Sequence, residues 1–190
     1  MKKRSIFQIL LAMLLYLALF VLGSSCGLIH PACYAYAGTF LPLLFGFVYL
    51  YVAATIQGFG AALLLNGFVL LVGLLAGEGK LPLLVGLVVL ALLAECIRRW
   101  QGYDTLTGVR LSFLPFAFSF YAYSAHWWTD AEGALAAAVE EMPAGYAEAM
   151  QPVIENTALL VLMLVLTVPM AILGMFLAEK ILKKHAQAFK

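Results

Sequence analysis

Long apolar runs divided by short polar breaks organise this chain. A helix needs roughly 20 apolar residues, about 17–25, to cross a bilayer. Six segments qualify: residues 6–23, 32–55, 60–76, 81–98, 111–127 and 157–178. The breaks GSSCGLIHP, QGFG, GEGK and RRWQGYDTLTGVR carry glycine or precede proline, which is turn chemistry. Pro31 and Pro82 fall at first-turn positions, where a missing N–H costs little. Pro42, Pro115 and Pro169 fall inside runs, where kinks are expected because neighbouring helices can satisfy the freed carbonyls. The pattern predicts an all-α integral membrane protein: a single domain over residues 1–190, built as a six-transmembrane-helix bundle.

The 28 residues from Trp128 to Glu155 are long for a connector in so small a protein. DAEGALAAAVEEMP reads as one short helix, with Asp130 as N-cap and Pro143 as stop, and AGYAEAMQP reads as a second. In the second, Tyr146 and Met150 are four residues apart and share a face. Residues 128–156 are expected to lie across one mouth of the bundle as a lid; a solvated acidic connector is the alternative.

Composition agrees with the membrane reading. Of 190 residues 65% are hydrophobic and 11% charged, too little polar surface to coat a soluble globule. The net charge of +1 excludes a polyanion-binding class, and no nucleic-acid partner is expected. Six spans place both termini on one side, with Lys2, Lys3, Arg4, Arg98, Arg99, Arg110, Lys180, Lys183, Lys184 and Lys190. Those are ten of the eleven Lys and Arg residues. The positive-inside rule makes that side cytoplasmic, so the expected location is the bacterial cytoplasmic membrane, crossed several times. Seven acids, Glu78, Asp130, Glu132, Glu140, Glu141, Glu148 and Glu155, fall on the other side. The opening MKKRSIFQILLAMLLYLALFVLGSSC also has the order of a signal peptide, even one ending at a lipoprotein-type Cys26, but is read as a retained first helix. Cys26 and Cys33 allow at most one disulfide, on an oxidising side.

Catalytic and driving chemistry are sparse. Glu95, three and four residues before Arg98 and Arg99, reads as part of a helix-surface ion pair. No mid-membrane acid suggests ion coupling. GLLAGEGK is one residue too long for a phosphate loop and has Leu81 where Ser or Thr is required. The chain is not expected to be an enzyme or to carry an intrinsic cofactor. Binding is the remaining chemistry. SSCGLIHPACYAY and YAYSAHWWTD bring His30, Tyr34, Tyr36, Tyr123, His126, Trp127 and Trp128 to the outer boundary as candidate substrate-binding residues. Tyr and Trp also anchor helices at that depth, whereas histidine does nothing for insertion and can ligate a metal or haem iron. Small residues at four-residue spacing, Ala54 with Gly58, Gly73 with Gly77 and Gly174 with Ala178, allow close helix contact.

LLAECIRRWQGY after the fourth run, AGYAEAM in the long outer segment and the closing ILGMFLAEKILKKHAQAF resemble the Trep_Strep family of small integral membrane proteins. That family is similar to the substrate-binding S components of energy-coupling-factor (ECF) transporters. The resemblance implies a bundle that captures a small-molecule substrate from outside. A coupling (T) membrane subunit and two cytoplasmic ATPases, as in ABC importers, would supply the work. It further implies haem, or another vitamin- or tetrapyrrole-like compound, as the transported ligand, with iron held by His30 or His126. In several S components an Ala-x-x-x-Ala pair in the first helix meets the coupling subunit; here Ala12 is followed at that spacing by Tyr16. A non-transporting membrane scaffold and a stand-alone carrier are the alternative functions.

Overall fold

The computed structural model describes residues 3–189, with side chains from Ile6 onward; Lys2 and Lys190, and the side chains of Lys3 and Arg4, lie outside it. Every regular element among the described residues is helical. Helix α1 (Lys3–Ser25) leads through a 3-10 turn (Cys26–Leu28) into α2 (Pro31–Ala35), α3 (Ala37–Phe40) and α4 (Pro42–Ile56). Then come α5 (Ala61–Leu75) and α6 (Leu81–Gln101), followed by α7 (Leu106–Phe116), α8 (Ser119–Ser124) and α9 (His126–Thr129). The hairpin α10 (Ala131–Glu141) and α11 (Tyr146–Glu155) precedes α12 (Thr157–Ile181) and the short α13 (Lys183–Ala186). Three segments are long and apolar enough to cross a membrane: Ile6–Leu28, Leu81–Gln101 and Thr157–Ile181. Helices α4 and α5 are apolar but, at 15 residues each, shorter.

Two of the expected runs are broken. Residues 32–55 do not form one helix. Pro31 starts α2 and Pro42 starts α4, each at a position that needs no N–H, and Tyr36 leaves helical geometry between them (φ −107°, ψ 8°). The run expected at 111–127 begins earlier, at Leu106, where Thr105 Oγ1 accepts from the Gly108 N–H at 3.0 Å as an N-cap. It then breaks at Ala117–Phe118, just past Pro115, and Ser119 Oγ donates to the Phe116 carbonyl at 2.6 Å. By contrast α12 continues through Pro169. Asp130 precedes α10 but makes no side-chain cap hydrogen bond.

The core is aromatic. Tyr16 lies 4.8 Å from Phe45 and 5.3 Å from Phe116, centroid to centroid, and Tyr49 lies 4.6 Å from Phe116. Such offset and edge-on contacts suit the ring quadrupoles. Tyr16, and with it buried Ala12, therefore faces the bundle interior. The Tyr16 hydroxyl donates to Asn66 Oδ1 at 2.9 Å; Asn66 Nδ2 donates to the Leu87 carbonyl at 3.1 Å and to Ser119 Oγ at 3.0 Å. Every polar atom in this chain of bonds meets a partner, as an apolar surrounding demands. Helices α4 and α12 approach most closely at glycines: a Cβ at Gly46 would stand 2.8 Å from the Gly174 backbone, and one at Gly174 would stand 2.8 Å from Leu43 Cα. The Gly174–Ala178 spacing thus serves internal packing. Phe7, Leu11 and Leu15 of α1 and Val165, Ile172 and Phe176 of α12 point outward, a surface suited to lipid.

The end of the bundle where α6 stops differs from the surface ion pair expected there. Glu95 and Arg98 are buried (1% and 0% exposed), while Arg99 is exposed. Glu95 Oε1 accepts from the Ala62 N–H at 2.8 Å; Arg98 donates to the carbonyls of Ala53 (3.3 Å) and Gly58 (3.2 Å) and lies 5.3 Å from the Tyr103 ring centroid. Glu95 thus satisfies an amide at the start of α5, while Arg98 caps the Gly58 carbonyl in the turn and shares the Ala53 carbonyl with the Gln57 N–H. Beside it the tail folds back. His185 packs against Tyr51 with the rings tilted and their centroids 4.8 Å apart, Gln57 Nε2 donates to the Ala188 carbonyl at 2.8 Å, and Phe189 is buried. Lys183 and Lys184 remain exposed.

Candidate ligand-binding site

The end opposite that pair holds a half-open cavity of about 820 Å³. Its walls come from the end of α1, the 3-10 turn and α2, the α5–α6 loop, α8 and α9; the α10–α11 hairpin lies over it. The hairpin is held by its own apolar face: Ala134 and Ala138 of α10 and Ala147, Met150 and Val153 of α11 are buried. Tyr146 and Met150 share a face as expected. Gly145, at φ +86°, makes the turn into α11, a conformation that a side chain disfavours. On the bundle side, Gly27 lets the hairpin come close, since a Cβ there would meet the Tyr146 hydroxyl at 3.0 Å and Tyr34 Cβ at 3.2 Å. Burial raises the Tyr146 phenol above its ordinary pKa range, so it stays neutral.

Five of the seven candidate residues line this cavity: His30, Tyr34, Tyr123, His126 and Trp127. Apart from His30, their rings pack in sequence. Tyr34 lies 6.1 Å from Tyr123 and 6.2 Å from Trp127, and Trp127 lies 5.1 Å from His126 and 6.3 Å from Tyr146 of the hairpin. Trp127 is 3% exposed, and its indole N–H has no protein acceptor. Tyr36 and Trp128 lie apart from the cavity. They pair with each other at 6.1 Å, and the Tyr36 hydroxyl donates to the Val153 carbonyl at 3.2 Å, which pins α11 to the bundle. In α9 the adjacent Trp127 and Trp128 point about 100° apart, and Tyr36 stands beyond the end of α2, at the break that turns it away from Tyr34. Tyr36 instead lines an apolar groove of about 480 Å³ between the end of α1, α3 and α12, together with Cys26 and Cys33, which are both free thiols.

The two histidines are not equivalent. His30 Nδ1 accepts from the Ala32 N–H at 3.1 Å, capping α2, so in the neutral ring the proton sits on Nε2. His126 Nδ1 lies 3.0 Å from the Tyr123 carbonyl, which can only accept, so its Nδ1 carries the proton and its Nε2 keeps a lone pair. His30 therefore offers a donor and His126 an acceptor or metal ligand.

Further lining residues outside the sequence candidates include Ser24, Gly27, Tyr146 and the charged Glu78, Lys80 and Glu141. Tyr146 carried a signal in its shared face with Met150. Lys80 carried another, as the one lysine on the acid-rich side of the expected topology. Comparison with curated proteins and with solved structures finds no match. A family model described as a hypothetical bacterial integral membrane protein matches residues 3–187. With nearly its whole length covered, the chain belongs to the Trep_Strep family of bacterial integral membrane proteins.

Proposed function

We propose that this protein is the substrate-binding membrane subunit, the S component, of an energy-coupling-factor importer. In this reading it crosses the cytoplasmic membrane six times with both termini inside, and the aromatic cavity opens outward beneath the α10–α11 lid. The single observation that supports it is that half-open, ring-lined space of about 820 Å³, within the size range of small-molecule sites, at the acid-rich end of the bundle. A coupling subunit and two ATPases would do the work. With Ala12 buried and Tyr16 in the core, the coupling subunit meets a different face of α1 from the one an Ala-x-x-x-Ala pair would mark.

Haem suits this site less well than the sequence suggested. Only His126 has a ring nitrogen free for iron, and Glu78 and Glu141 oppose the two propionates. The proposed ligand is therefore a small planar solute, and haemin is the deciding probe. Haemin binding that shifts its absorbance band in the wild type and the His30→Ala variant but not in His126→Ala supports a haem carrier; the same spectrum in all three removes it.

The importer reading itself is tested by native purification followed by reconstitution. Co-purifying nucleotide-binding subunits, and a bound small molecule accumulated in proteoliposomes only when those subunits and ATP are present, are the expected results. Accumulation without them identifies a stand-alone carrier, and a stable partner with no bound small molecule identifies a scaffold.

A further inference from the structure

We infer that the cavity selects an organic cation: a planar ring bearing a fixed positive charge or a protonated amine. The inference rests on the cavity being a ligand site and adds the charge of what enters it. Four aromatic rings from three parts of the chain, Tyr34, Tyr123, Trp127 and Tyr146, bound the space. Their faces are electron-rich, and such boxes hold quaternary and protonated amines by cation–π attraction. Two carboxylates, Glu78 and Glu141, line the same cavity against one lysine, Lys80. The ion pairs found among the described residues, Arg98 with Glu95 and Arg110 with Glu179, both lie at the other end of the bundle, so neither cavity carboxylate is neutralised by them. Glu78 is half-buried, and an incoming cation offsets the cost of removing its charge from water. The wider face repeats the bias, with seven acids against one lysine, a field that draws cations toward the mouth and repels anions.

The test uses the full chain in lipid nanodiscs with Trp100→Phe, which removes the exposed tryptophan at the far end and leaves Trp127 and Trp128 as reporters. N-methylquinolinium is titrated beside quinoline, its uncharged counterpart of nearly the same outline at neutral pH, and beside naphthoate. The expected result is quenching by N-methylquinolinium with affinity about tenfold or more above quinoline, and no measurable competition from naphthoate. Glu78→Gln should abolish most of that margin without changing quinoline binding, whereas Glu148→Gln, outside the cavity lining, should leave it intact. Raising salt on the unmodified cavity should weaken the cation and not quinoline, which gives a readout that needs no variant. Quinoline or naphthoate binding as tightly as the cation overturns the charge assignment and leaves the cavity a ligand site. No response to any of the three overturns both.

Discussion

Arg98 shows how much one side chain can hold in an apolar bundle. It donates to the carbonyls of Ala53 and Gly58, while its partner Glu95 accepts from the Ala62 N–H, so the turn between α4 and α5 depends on this buried pair. Removing one member leaves the other charge uncompensated, which costs about 3–5 kcal/mol. Arg98→Ala should lower unfolding stability in detergent by that amount, whereas exposed Arg99→Ala should change it by less than about 0.5 kcal/mol. The bidentate Arg110–Glu179 pair (2.7 and 2.6 Å) is a useful contrast, because Arg110 is half exposed and screened. Arg110→Ala should cost no more than about 1 kcal/mol by the same measurement. Gly174 acts through space alone. A valine there must push against the α4 backbone at Leu43, and a loss of about 1–3 kcal/mol is expected.

At the scale of elements, the α10–α11 hairpin is the part most exposed to test. Gly145 holds φ +86°, so Gly145→Ala carries a conformational penalty of about 1–2 kcal/mol with no clash to add to it. That penalty falls on the hairpin rather than the bundle: amide exchange should quicken over α10 and α11 and stay slow in α6 and α12. Gly27→Val should produce the same loosening from the other side, by displacing the Tyr146 hydroxyl. If exchange in the hairpin is unchanged in both variants, it is not a lid seated at these contacts. The broken helices α2–α4 and α7–α9 matter for the same reason. Their breaks turn Tyr34, Tyr123, His126 and Trp127 inward at the mouth of the bundle, where an unbroken span would carry them along one line.

For the whole molecule, the decisive quantity is orientation. With the native cysteines replaced by serine, Glu140→Cys in α10 should react with a membrane-impermeant maleimide on intact cells. Gln187→Cys, beyond α13, should react only after permeabilisation. The reverse result would turn the cavity toward the cytoplasm and end the importer reading. Both positions are exposed, so access and not burial decides the outcome.

The amino-acid sequence alone determined that this is a helical membrane protein with an acid-rich and a basic end, because apolar run length and charge asymmetry act locally and sum along the chain. It also marked the hairpin and five of the cavity's side chains, since turn residues and boundary aromatics announce themselves where they stand. Only the tertiary structure decided that Glu95 and Arg98 are buried, that Tyr36 and Trp128 pair away from the cavity, and that Tyr146, Glu78 and Lys80 join it. Those facts depend on which helix faces meet across separations of tens of residues. No local pattern records such a meeting, because it is settled by packing around glycines such as Gly27 and Gly174 and by long-range hydrogen bonds such as those of Asn66 and Arg98.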